Sequence, residues 1–222
     1  MAVTNGIPMR IQGMDNDGNN AKSLGKNPKA MQAFWLQMKI NAEVAKGAMS
    51  KDLPEEWFAL PAKEDLKNAM IAAIAVFHCM RLMELGQYEK ADALMEELLN
   101  EETGMALVHR KILINEQVYC EMLFENRAER YEKLMTEEQK KFMKSMKTSP
   151  SILRTQYLYE KYVAKDEKKA EASKAAFEKA AIRYPYTHEI ASERAMIELV
   201  EKKFEENSVE VEVTTEESSE TI

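Results

Sequence analysis

This sequence predicts an all-α fold, an array of antiparallel helical hairpins, and three observations carry that expectation. Apolar residues recur at spacings of three and four through most of residues 27–204, the period of one helical face. Two stretches repeat a small residue, a large apolar one and another apolar one at those spacings. The first is Ala91, Met95 and Leu98, preceded by Gly86 and Tyr88; the second is Ser173, Phe177 and Ala180, followed by Pro185. The composition agrees. With 16 Met against 7 Gly and 6 Pro, and 45% hydrophobic residues, the chain favours helix and can bury a core.

The elements follow in order. Residues 1–26, dense in Gly and Asn, read as a flexible segment. Asn27-Pro28 is a helix start, Asn as N-cap and Pro at the first helical position, and Gly47 a stop. Between them Met31, Trp35, Met38, Ala42 and Ala45 share one face. A segment bounded by Pro54 and Pro61 carries Trp57 and Phe58, which would staple it to the core. Residues 62–85 read as a central helix, apolar nearly all round, ended by Gly86; 88–99 are its antiparallel partner.

Further helices are expected over 103–124 and 127–135. Thr136-Glu137-Glu138-Gln139 has the capping-box pattern and opens another. Ser149-Pro150 repeats the cap-then-Pro device before 152–164, and helices over 167–184 and 187–204 complete the array. Val209–Val213 alternates like a strand but has nothing to pair with, so residues 205–222 read as a disordered acidic tail. The predicted organisation is a flexible segment 1–26, a helical-repeat domain 27–204 and the tail.

The net charge of −7 lies entirely in that tail, where seven Glu and no basic residue fall. The 31 acidic residues that remain match the 31 basic ones, so the body is neutral. With no basic excess to release counterions, nucleic acid is not an expected partner. The longest apolar run, 69–80, is too short for a bilayer, which needs about 20 residues. Cys79 and Cys120 read as buried small hydrophobes, which with the absence of a Cys-x-x-Cys pair suits a cytoplasmic protein.

The sequence shows no assembled catalytic set. His78, His109 and His188 fall on three predicted helices without ligand spacing, and nucleophile elbows and phosphate loops are absent. Asp15-x-Asp17-Gly18-Asn19 lacks the Gly and Glu positions of a calcium loop. The expectation is therefore a non-catalytic module with no cofactor of its own and a protein or peptide partner. Tyr157, Tyr159 and Tyr162, near the start of a repeat's first helix, are the candidate binding residues.

Two resemblances sharpen this. The two stretches of the opening paragraph resemble the second helix of the tetratricopeptide repeat. The first-helix Trp and Leu-Gly elements are missing from both, so the implied architecture is an irregular tetratricopeptide-like α-solenoid. At the other end, Asn5, Pro8, Asp17 and Gly18 resemble the Asn-x-x-Pro…Asp-Gly motif of site-2 protease-like zinc metallopeptidases. That resemblance implies a bacterial membrane peptidase of which this chain is the C-terminal cytosolic, regulatory part. The membrane would then be reached only through a region preceding Met1. The alternative it implies is the distal fragment of an active intramembrane peptidase with Asp17 as a zinc ligand. Here the Pro-to-Asp spacing is longer than the motif's, and the His-Glu-x-x-His helix is not in the chain.

Overall fold

The computed structural model describes residues 10–11, 14–15, 17–25 and 27–219 of the chain. Apart from a two-residue antiparallel ladder, Arg10–Ile11 (β1) with Met14–Asp15 (β2), the described residues form helices and turns; the fold is all-α. In order the helices are α1 (Asp17–Leu24), α2 (Pro28–Ala45), α3 (Ala69–Glu84), α4 (Tyr88–Asn100), α5 (Leu107–Leu123), α6 (Ala128–Leu134), α7 (Glu137–Ser145), α8 (Pro150–Leu158), α9 (Glu167–Arg183) and α10 (Thr187–Ser219). Three 3-10 turns, Ser50–Asp52, Glu55–Phe58 and Lys63–Lys67, link α2 to α3. The chain divides into two compact units, Met1–Gln117 and Val118–Ile222, with the division inside α5.

The start and stop signals act as their chemistry dictates. The Asn27 side chain accepts hydrogen bonds from the backbone N–H of Lys29 at 3.0 Å and Ala30 at 3.3 Å. Thr136 accepts from Gln139 N at 3.2 Å. Gly47 (φ +101°) and Gly86 (φ +69°) end α2 and α3 in the left-handed region that glycine reaches without strain.

In the first unit α2 packs on α3, and α3 packs on α4. The α2–α3 core joins Ala30 and Ala33 to Ile71 and Ile74, with Leu36, Met70 and Phe77 against it. Ala91, Met95 and Leu98 of α4 are buried. The central helix starts later than its apolar run. Lys63–Lys67 is a 3-10 turn, and α3 begins only where Asn68 caps Met70 N and Ile71 N. Gly104 pins that turn: its N–H donates to Leu66 O at 2.8 Å, and a Cβ there would stand 2.1 Å from Lys67 O.

In the second unit α8 packs against both α9 and α10. Ser173 and Phe177 are buried and Ala180 is half-buried, as a packed hairpin requires. This unit also encloses charge. Arg154 of α8 is 1% exposed, its Nη1 2.9 Å from Glu193 Oε2 and its guanidinium 4.3 Å from the Tyr119 ring centroid. The Glu121 carboxylate takes Arg127 Nη2 at 2.9 Å and Nε at 3.1 Å, with Arg130 Nη1 at 3.3 Å. Burial alone would raise the Glu121 pKa. The hydrogen bonds from Arg127, with the Arg127 and Arg130 charges, outweigh it and hold the carboxyl below its ordinary value.

Three stretches differ from expectation. The backbone of 17–24 is helical where Gly and Asn predict a loop, because Ala21, Lys22 and Leu24 favour helix until Gly25 (φ +45°) stops it. Past Leu158 the predicted helix continues as a π turn, Tyr159–Val163, and closes at Lys165 (φ +51°). The last helix does not end at Phe204. Its backbone continues to Ser219 through the acidic segment expected to be unstructured, since no Gly or Pro interrupts 187–219. Residues 220–222, the end of that expected tail, lie outside the described residues.

Candidate interaction surface

Helix α2 is apolar on two faces. The face of Ala30 and Ala33, small enough to let α3 approach closely, is buried, and Ile40 is buried further along the helix. Gln37 Nε2 donates to Met70 O at 2.8 Å and Lys29 Nζ to Asp65 Oδ2 at 2.6 Å, which fixes the rotation of α2 on α3. The large side chains are thereby turned outward: Met31 is 57% exposed, Phe34 40%, Trp35 56% and Met38 50%. Their spacing, i, i+3, i+4 and i+7, makes one continuous stripe, and Ala42 and Ala45 extend it, also exposed. Soluble proteins do scatter single exposed apolar residues, but a contiguous run of four large ones is the kind of patch that interaction sites present.

The stripe has a built edge. Lys39 places its ammonium 4.7 Å from the Trp35 ring centroid and 3.9 Å from that of Trp57, a cation held between two indoles. Trp57 belongs to the 3-10 turn Glu55–Phe58, so that turn is tied to α2. The same turn forms one wall of an open groove of about 810 Å³ against the end of α3. In it, His78 Nδ1 donates to Phe58 O at 2.6 Å, and Arg81 donates to Leu53 O at 2.8 Å and to Ser50 O while covering the Phe58 ring. Those ionisable groups anchor the turn. Leu60, Leu85, Glu55 and Glu56 remain exposed along the groove.

The tyrosines singled out from the sequence are not on one open surface. Tyr157 is buried; its hydroxyl donates to Glu201 Oε1 at 2.5 Å and accepts from Lys161 Nζ at 3.1 Å. Burial and the Glu201 contact push its pKa up to about 12. Tyr159 meets Tyr131 edge-on at 5.6 Å, and Tyr162 stacks on Phe204 at 4.3 Å. Residues 157, 159 and 162 do not share a helical face, and the π turn from Tyr159 shifts the register further, so the three rings go to three different neighbours. The cavity beside Tyr157, about 150 Å³ and lined also by Lys174, Phe177, Arg194 and Ile197, is smaller than a typical ligand pocket.

Asn5 and Pro8 lie outside the described residues, and Asp17 is the first residue of α1. Among the described residues no three His, Cys, Asp or Glu side chains come together as a metal group. A catalytic zinc needs three protein ligands, and the resemblance puts the others on a His-Glu-x-x-His helix that this sequence does not contain. The histidines stay apart: His78 serves the Phe58 carbonyl, and burial lowers the pKa of His109. Burial likewise raises the Cys79 thiol to about 12, which suits packing and not reactivity.

The residue missed from the sequence is Phe34, which completes the stripe. Its signal was present, one step from Trp35 on the face already traced by Met31 and Met38. What placed that face outside was the pair Ala30 and Ala33 on the other side. The protein these features define is an all-α one with an exposed aromatic and Met stripe, and no described helix long and apolar enough to cross a membrane. No family model, curated protein or solved structure matches the chain.

Proposed function

We propose that this chain is a non-catalytic helical interaction module, an irregular tetratricopeptide-like array acting in the cytoplasm, and that it engages a protein partner through α2. The observation that carries the reading is the stripe Met31, Phe34, Trp35 and Met38, exposed on a helix whose opposite face is fully packed. Aromatic residues and Met are the side chains that dominate binding energy at interfaces and adapt to a partner's shape. The metallopeptidase resemblance extends the same reading, with the module as the cytosolic portion of a membrane peptidase. An in-frame upstream segment encoding apolar spans and a His-Glu-x-x-His helix supports that extension; a stop codon directly upstream counts against it.

The test uses the folded chain and a Trp35→Lys/Met38→Lys variant in cross-linking and affinity capture. The reading requires at least one protein contact, with another protein or with a second copy, that is present in the wild type and absent from the variant. No stripe-dependent contact of either kind refutes it.

A further inference from the structure

We propose that the occupant of the α2 stripe is the α2 stripe of a second copy, paired antiparallel about a two-fold axis. This rests on the interaction reading above and names its partner. The stripe is palindromic. With the axis between residues 34 and 35, Met31 of one copy lies opposite Met38 of the other, and Phe34 opposite Trp35. A two-fold interface demands this reciprocity, residue i meeting j while j meets i. The spacing of three and four is also that of an antiparallel helix seam in which side chains interdigitate.

Charge does not oppose the pairing. Lys39 is held over Trp35 and Trp57, Lys29 bonds Asp65, and Lys46, just past the helix end, bonds Glu43. The lysines of α2 and its C-cap are therefore engaged within their own chain. Area also permits it. Half-exposed side chains of this size offer about 100 Å² each, so the stripe presents on the order of 400 Å² per chain. With Gln32, Asn41, Ala42 and Ala45 exposed around it, two copies would seal about 1,000 Å² in total, the lower end for a specific interface. The expected dimer is reversible, not obligate. A membrane surface is a poorer match, because an interfacial helix sets a strongly charged face against its apolar one. In α2 the second face is the buried Ala30, Ala33 and Ile40.

The register gives the decisive experiment. Phe34→Glu and Trp35→Lys chains are prepared separately, and their far-UV spectra and melting midpoints are checked against wild type. Sedimentation equilibrium across the micromolar range should give the wild type twice the 25.5 kDa chain mass as concentration rises. Each variant alone should show a dissociation constant at least tenfold weaker. Mixed one to one, the two should recover association. The carboxylate introduced at position 34 of one chain then faces the ammonium introduced at position 35 of the other, while the intact Trp35 of the first chain meets the intact Phe34 of the second.

A wild type that stays monomeric overturns the second-copy proposal, as does a dimer that both variants retain. If a variant fails to fold, Met31→Gln/Met38→Gln replaces it, and retained dimerisation there has the same force. A monomer that captures another protein, and loses it in the variants, overturns this proposal while leaving the interaction reading intact. A monomer that sediments with anionic vesicles only when the stripe is present overturns both.

Discussion

The two units solve opposite problems. In the first unit the α2–α3 core is aliphatic, built from Ala30, Ala33, Ile71 and Ile74, the buried polar residues Asn115, Glu116 and Gln117 lie in α5 next to the division, and α2 leaves its large apolar side chains on the surface. Residues from Val118 onward do the reverse: they bury Arg154 and Glu121 and stabilise them with facing charges, hydroxyls and rings. The first arrangement leaves apolar surface uncovered on α2. The second uses polar groups to fix one internal packing, since a buried charge tolerates few alternatives. The contrast predicts that the second unit suffers most from loss of a charge and the first from loss of shape. Both tryptophans, Trp35 and Trp57, lie in the first unit, so indole fluorescence reports it separately.

The largest expected effect is at Arg154. Arg154→Ala leaves Glu193, which is 17% exposed, facing its lost partner, and empties a large buried volume beside Tyr119. Breaking such a pair costs about 3 kcal/mol or more, measured as the shift of the urea midpoint at unchanged slope. Arg154→Met combined with Glu193→Leu should recover most of it. A loss under about 0.5 kcal/mol for the single variant would remove the contrast between the units.

Gly104→Ala is the counterpart in the first unit. The added Cβ would stand 2.1 Å from Lys67 O, against backbone that cannot yield as a side chain would. A loss of about 2 kcal/mol is expected, seen by tryptophan fluorescence. A neutral outcome would show that the Lys63–Lys67 turn is free to move away from Gly104.

Acid should separate the units more gently. The Glu121 pKa is depressed in the folded state, so its contribution is fully present above the unfolded carboxyl value of about 4.5. It is lost as pH falls through the lower folded value. Far-UV ellipticity should therefore begin to fall below about pH 4.5 while the indole signal of the first unit holds. In Glu121→Gln that acid-sensitive portion should disappear at the cost of lower stability at neutral pH. Coincident curves in the wild type would mean that the two units unfold together.

How far the sequence revealed these regions depends on which interactions decide each. Helix starts and stops are local, and Asn27 and Thr136 declared starts while the glycines at 47 and 86 declared stops. The α2 stripe was legible as a face. Its exposure was not, because periodicity marks apolar residues without saying what covers them; only the small Ala30 and Ala33 opposite could have hinted at it. The burial of Arg154 was not legible, since it depends on Tyr119, Glu193 and Met196, which are remote in sequence. Tyr157, Tyr159 and Tyr162 do not share a helical face, since residues two apart point to opposite sides, and the π turn from Tyr159 separates them further.

The smallest effect is expected at the acidic end of α10. Removing residues 208–222 deletes five Glu and moves the net charge from −7 to −2. Like charges fall at i and i+4 along this stretch, Glu206 with Glu210 and Glu212 with Glu216, and each such pair weakens a helix by a few tenths of a kcal/mol. The segment also lacks aromatics and holds only scattered valines, so it brings little apolar surface to the core. The deletion should leave the melting midpoint within about one degree. In the full chain, salt should raise the ellipticity slightly by screening the glutamates, and the truncated chain should not show that rise. A drop of several degrees on truncation would mean that Val209, Val211 and Val213 are held by the body of the second unit, which would extend its packed core past Phe204.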